Sequence, residues 1–113
     1  MDSEIIYDDP CTPAHKAVEL GNYEELTRLL HAGGDPNEVC CGMTLLVHAI
    51  DLEGDSSLQS GNPVNGVATA IILAFGANPE MMAPTGYTPL QVADSYGHEI
   101  ARSLILCNIR SAV

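Results

Sequence analysis

The chain has 113 residues, 46% of them hydrophobic, with four Tyr, one Phe and no Trp, which bounds it to one globular domain with an aliphatic core. Fifteen acidic residues stand against Lys16, Arg28, Arg102 and Arg110, a formal net charge of −11. That balance argues against direct DNA or RNA binding and leaves two readings, solubility or a basic protein partner.

The start Met1-Asp2-Ser3-Glu4 is acidic and lacks the basic region and apolar run of a signal peptide. Residues 1–10 are a polar lead in which Ile5, Ile6 and Tyr7 form an apolar knot, expected to cover the exposed end of the helices after it. A first helix is expected over Thr12 to Leu20, with Thr12 as cap and Pro13 at the first helical position. Gly21-Asn22 is a tight turn. A second helix over Tyr23 to His31 puts Leu26, Leu29 and Leu30 on one face and pairs Glu24 with Arg28 on the other. Gly33-Gly34 stops it, and a projecting hairpin is expected from Glu38 to Met43. The next helix runs from Thr44 to about Leu52. The stretch from Gly54 to Pro63 is rich in Gly and Ser and reads as a loop inserted between helices. A nearly apolar helix over Val64 to Phe75 directs Val67, Ile71, Ile72 and Phe75 inward; it is far too short to span a membrane. A second hairpin covers Glu80 to Tyr87. Thr88, Pro89 and Gly97 then bracket a helix as cap, first turn and stop. The last helix, about His98 to Ile109, carries Ile100, Leu104, Ile105 and Ile109 inward, with Arg102 outside and Arg110 at the negative end of the helix dipole.

These elements repeat. Thr12-Pro13-Ala14-His15, Gly42-Met43-Thr44-Leu45 and Gly86-Tyr87-Thr88-Pro89-Leu90 are three copies of one helix start, with threonines 32 and then 44 residues apart. Gly33-Gly34-Asp35-Pro36-Asn37 precedes the second copy and Gly76-Ala77-Asn78-Pro79-Glu80 the third. On these residues the chain resembles the ankyrin-repeat family, whose G-x-T-P-L-H-x-A helix start recurs about every 33 residues. The resemblance implies an all-α solenoid of about three helix-turn-helix repeats with projecting β-hairpin loops. Residues 1–113 would form one domain, with repeats at about 11–37, 38–79 (carrying an inserted loop at 54–65) and 80–110. Repeat two departs from the pattern: Leu45 replaces the proline, Val47 the histidine, and His48 stands one place late.

No catalytic constellation stands out. His15, His31, His48 and His98 and the four cysteines lack the C-x-x-C or H-x-x-x-H spacing of zinc sites. His15 holds the family's structural histidine position, and His31 and His98 lie at helix ends. Cys40-Cys41 could form a redox sensor, but no basic residue lies nearby in sequence to activate a thiol, and the pair reads as inert hairpin residues. No phosphate-binding G-x-x-x-x-G-K-[ST] loop and no G-x-S-x-G elbow is present. The chain is expected to be no enzyme and to need no metal or cofactor.

What remains is surface. The resemblance implies binding through the concave face, using hairpin tips and the exposed ends of first helices. Carried over, these are Glu38, Val39, Cys40, Cys41 and Met43, then Met81, Met82, Thr85 and Tyr87, with Glu19, Leu20, Asp51, Glu53, Asp94 and Tyr96 from the helices. Met and Tyr suit adaptable, energetic contacts; Met81 and Met82 equally suit packing on the neighbouring hairpin. The expected function is a stoichiometric inhibitor of the immunity type that occludes a basic partner protein such as a toxin. The alternative is a regulatory adaptor that tethers a signalling or transcription partner without inhibiting it. A cytoplasmic protein, monomeric or weakly dimeric, with no nucleic-acid or membrane partner is expected, and its cysteines are expected reduced.

Overall fold

Three threonines set the register of the chain. In the computed structural model, which describes residues 12–111 and side chains through Ile109, Thr12, Thr44 and Thr88 all hold extended backbone and accept the N–H three residues on, from His15, Val47 and Gln91 at 3.2, 3.1 and 3.2 Å. Each such cap is worth about 1 kcal/mol. They start α1 (Pro13–Leu20), α3 (Leu45–Ser60) and α5 (Pro89–Tyr96). At α5 the Gln91 side chain returns the bond to the Thr88 N–H, completing a capping box. Gly21 and Gly97, both left-handed, end α1 and α5 and turn the chain into α2 (Tyr23–His31) and α6 (Glu99–Ser111). The expected knot of Ile5, Ile6 and Tyr7 and the expected role of Arg110 lie outside the described residues and side chains.

The first helices α1, α3 and α5 pack side by side, and α2, α4 (Val67–Ala74) and α6 form a second layer behind them. The core between is aliphatic and small: Ala14, Ala17, Val18, Leu26, Leu30, Leu45, Leu46, Ala49, Ile50, Ile72, Ala93, Ala101 and Ile105 are all buried. Alanines let the helices approach closely, while leucines and isoleucines fill the gaps.

The hairpin of repeat two is a minimal antiparallel pair, β1 (Val39–Cys40) with β2 (Met43–Thr44), in register Val39↔Thr44 and Cys40↔Met43. Its two-residue turn is Cys41-Gly42, with φ of 56° and 81°, the primed geometry that matches strand twist. The third repeat's counterpart closes by Ala83 N–H to the Tyr87 carbonyl at 2.8 Å without forming a strand pair. The hairpin bases are tied together where the Asn37 side chain accepts the Asn78 N–H at 2.7 Å.

Repeat two corrects the sequence reading. The expected inserted loop at 54–65 is helical as far as Ser60: α3 is 16 residues long, twice the length of α1 or α5, and stops at left-handed Gly61. Its first-helix partners end at Gly21 and Gly97. Repeat two has Glu53 at that place, a residue that does not favour the left-handed turn, and so the helix continues. Gly54 is a packing glycine and not a breaker, since a Cβ there would lie 2.3 Å from Cγ of Tyr96. The connection to α4 shrinks to residues 61–66.

Three smaller expectations also shift. Val67 and Phe75 are exposed, and Ala68, Thr69, Ile72 and Leu73 face inward instead. Ile100 is exposed at the surface beside Gly66, leaving Ala101 to fill the core. Arg28 pairs with Glu25, at 2.6 Å, and not with Glu24.

Candidate protein-binding surface

Two of the expected contact carboxylates are drawn into a polar chain between repeats one and two. The Glu38 carbonyl faces His15 Nε2 at 3.3 Å, His15 Nδ1 faces His48 Nδ1 at 2.8 Å, and His48 Nε2 faces the Glu19 carboxylate at 2.9 Å. A carbonyl or carboxylate oxygen accepts, so each ring donates from Nε2, and the two Nδ1 atoms face one another across a shared hydrogen bond. The imidazoles stack with centroids 5.0 Å apart and both are buried. Burial holds the His15 pKa below its ordinary value; the hydrogen bond to the Glu38 carbonyl and the Glu38 charge oppose this, and the His48 charge reinforces it. The Glu38 carboxylate accepts from the Thr12 hydroxyl. His48, out of register in the repeat motif, thus joins α3 to α1, and Glu19 remains largely exposed at the end of the chain of bonds.

Glu53 departs furthest from expectation. The repeat pattern puts it at an exposed helix end, but the helix does not end there and the residue is buried. Its carboxylate accepts three bonds: from the Thr69 hydroxyl at 2.6 Å, the Thr69 N–H at 3.2 Å and His98 Nε2 at 2.8 Å. Nδ1 of His98 accepts the Ala101 N–H at 3.1 Å, which leaves Nε2 as the donor. His98, expected as an ordinary helix-end residue, is buried and caps α6. Gly66, the cap residue of α4, has no side chain to bond the first turn; Asn65 Oδ1 accepts the Val67 N–H at 2.7 Å, and Glu53, reaching from α3, accepts the Thr69 N–H at the positive end of the helix. Glu53 is therefore withdrawn from the binding surface.

The other residues sort by position. Asp51, Tyr87 and Tyr96 come together around a cavity of about 340 Å³ that also takes in Gln91, Val92 and Ser95. The Tyr96 hydroxyl donates to Asp51 at 2.8 Å. This bond, then burial, then the charges of Asp51 and Asp55 push the Tyr96 pKa up to about 12, so the phenol stays protonated as a donor. Gln91 and Ser95 are lining residues that sequence reasoning misses. A signal exists, since Gln91 and Ser95 lie four residues apart on one face of α5. Asp94 turns to Arg102 on α6, at 3.1 Å. Leu20, Met82 and Tyr87 are exposed at 68%, 55% and 59%, while Met43 and Met81 are half-buried.

A second groove of about 430 Å³ lies between the α1–α2 turn and the C-terminal half of α3, lined by Glu19, Leu20, Ser56, Ser60, Asn62 and others. It exists because α3 is long, so sequence reading could not place it. A broader, shallower depression of about 770 Å³ is lined by α2 and Ala32 alone and gathers none of the expected residues. Among the described residues, no helix is long and apolar enough to cross a membrane.

No family profile matches the chain, and no curated protein matches it significantly. Among solved structures the chain is similar to an ankyrin repeat domain from Acinetobacter baumannii AYE, at 34% identity and a TM-score of 0.72. The match covers 88% of this chain and 48% of the other, so the chain spans about half the length of the protein it resembles.

Proposed function

From the premise that the chain is an ankyrin-repeat protein, and so has the fold of a protein–protein interaction module, we propose that it is a stoichiometric inhibitor of the immunity type. It binds a basic partner, such as a toxin, and occludes that partner's working surface. The observation that carries this reading is the Asp51–Tyr87–Tyr96 cavity, which has an acidic side chain, two tyrosines and no Lys or Arg in its lining. A cation from the partner would meet Asp51 and the tyrosine faces together, and both attract it. Tyr87 offers exposed apolar area at the cavity, and exposed Met82 adds more on the third repeat's hairpin, for the less specific part of the contact. The −11 charge speeds encounter with such a partner. The protein acts as a monomer or weak dimer in the cytoplasm and works without a metal or cofactor.

The experiment is capture of the partner by the tagged chain, followed by assay of the partner's activity with and without a molar equivalent of the chain. Loss of activity at one equivalent supports inhibition. A partner held at full activity would establish a regulatory adaptor in its place.

A further inference from the structure

We propose that Cys40 and Cys41 are a reversible redox site, closing to a disulfide between adjacent residues and reshaping the β1–β2 hairpin tip as they close. Their Sγ atoms lie 3.6 Å apart. Cys41 is exposed and Cys40 buried, so one thiol meets a solution oxidant and the other stands behind it to resolve the product. Cys41 is also the one non-glycine residue at positive φ among those described, in a turn position usually given to Asn, Asp or Gly. A thiol has been placed where the backbone disfavours a side chain.

Adjacency decides the character of the bond. Neighbouring Cα atoms across a trans peptide are about 3.8 Å apart, short of the roughly 4.4–6.8 Å that relaxed disulfides span. A disulfide between neighbours is therefore strained and readily reduced, which places it among the labile and regulatory bonds and not the structural ones. A bond of this kind follows the ambient thiol–disulfide balance.

The oxidant is a small disulfide RSSR of the glutathione type. Cys41 loses its proton and its Sγ attacks one sulfur of RSSR. The S–S bond breaks, Cys41–S–S–R forms, and the expelled thiolate takes up a proton to leave as RSH. Cys40 then loses its proton and attacks Sγ of Cys41, forming the Cys40–Cys41 bond and expelling a second RSH. The two protein thiols are oxidised by two electrons in all, and RSSR is reduced to two RSH.

Closure acts on a tip with little slack. Cys40 pairs with Met43 across the two-residue turn, and Gly42 lies against the third repeat, where an added Cβ would be 3.3 Å from the Thr85 methyl. A change in the Cys40–Cys41 backbone therefore moves Val39 and Met43 and presses on Thr85.

The test uses the full chain carrying Cys11→Ser and Cys107→Ser, incubated with oxidised glutathione and followed by intact mass and by amide NMR. Expected are a monomer lighter by the two thiol hydrogens and retaining no glutathione, amide shifts at Val39, Met43 and Thr85, and full reversal by dithiothreitol. Adding Cys41→Ser abolishes the product. Glutathione retained on Cys41, a covalent dimer, no reaction, or a disulfide that leaves the hairpin amides unmoved would each overturn the proposal. Should the serine background lose helix by circular dichroism, peptide mapping of the oxidised wild-type chain detects or excludes the 40–41 bond directly. Hairpin movement is then read from the wild-type amides.

Discussion

Glu53 and Thr69, sixteen residues apart and on different helices, are joined twice: the carboxylate accepts the Thr69 hydroxyl at 2.6 Å and its backbone N–H at 3.2 Å. A glutamate on α3 thus adds a cap at the start of α4, where the cap residue Gly66 has no side chain, with His98 as its third donor. A buried carboxylate is costly unless its lone pairs are met, and here they are met by groups that also begin two helices.

Replacing Glu53 by Ala leaves Thr69 and His98 buried without their acceptor. We expect a loss of about 3 kcal/mol, read as a lower urea midpoint at unchanged slope. Glu53→Gln should cost less, because its carbonyl oxygen still accepts while its amide meets a second donor. If both variants unfold within a few tenths of a kcal/mol of the parent, the capping role is wrong.

Gly54→Ala sets propensity against packing. In an open helix the exchange gains about 1 kcal/mol. At this site the new methyl would lie 2.3 Å from Cγ of Tyr96, and overpacking of that kind costs about 1–3 kcal/mol. The net change should be destabilising, and Tyr96→Ala should relieve only part of it in a double-mutant cycle, because Cβ of residue 96 stays 2.7 Å from the new methyl. A stabilised single variant would mean that α3 and α5 do not approach so closely.

The His15 pKa is depressed mainly by burial. The unfolded chain takes up a proton on His15 as pH falls through about 6.5, where the folded chain still resists it. The unfolded state then binds more protons, and this contribution to stability is full above pH 6.5 and lost as pH falls below it. Thermal midpoints measured between about pH 7.5 and 5.5 should therefore drop toward acid, and His15→Gln should flatten that slope. A parent and variant with parallel pH profiles would remove His15 from the explanation.

Charge reversal separates two aspartates that look equivalent in sequence. Asp51 faces the cavity with Tyr96, whereas Asp94 is paired to Arg102. With the captured partner, Asp51→Lys should slow association about ten-fold at low salt, with a smaller salt dependence. Asp94→Lys should change it less. Equal effects of the two would show that only overall charge matters.

Much of the fold is legible in the sequence because its punctuation is local. Thr-Pro starts and glycine stops act within one turn, so α1, α2 and α5 stand where the residues place them. The second repeat is not legible in the same way. Gly54, Asp55, Ser56 and Ser57 are ordinary turn residues, and only tertiary partners make them helical: Glu53 needs Thr69 and His98, and Gly54 needs Tyr96. Val67 and Phe75 read as inward because an almost wholly apolar helix gives no polar face to set its rotation. The true orientation follows Thr69, a polar residue with a buried partner. For the surface, the family resemblance points to Asp51, Tyr87 and Tyr96, while Glu53 and Asp94 are diverted by partners distant in sequence.

The Asn37–Asn78 bond, the His15–His48 contact and the Glu53–His98 bond all end on repeat two or bridge to it. In a linear array, each unit's own stability and its coupling to the next are separate quantities, and weak coupling lets an array fray from its ends. Here polar links at both junctions make the coupling terms specific as well as apolar, and they converge on the middle unit. The chain should therefore melt as one body, with the outer repeats surrendering together when the central one does, and not peel away from either terminus.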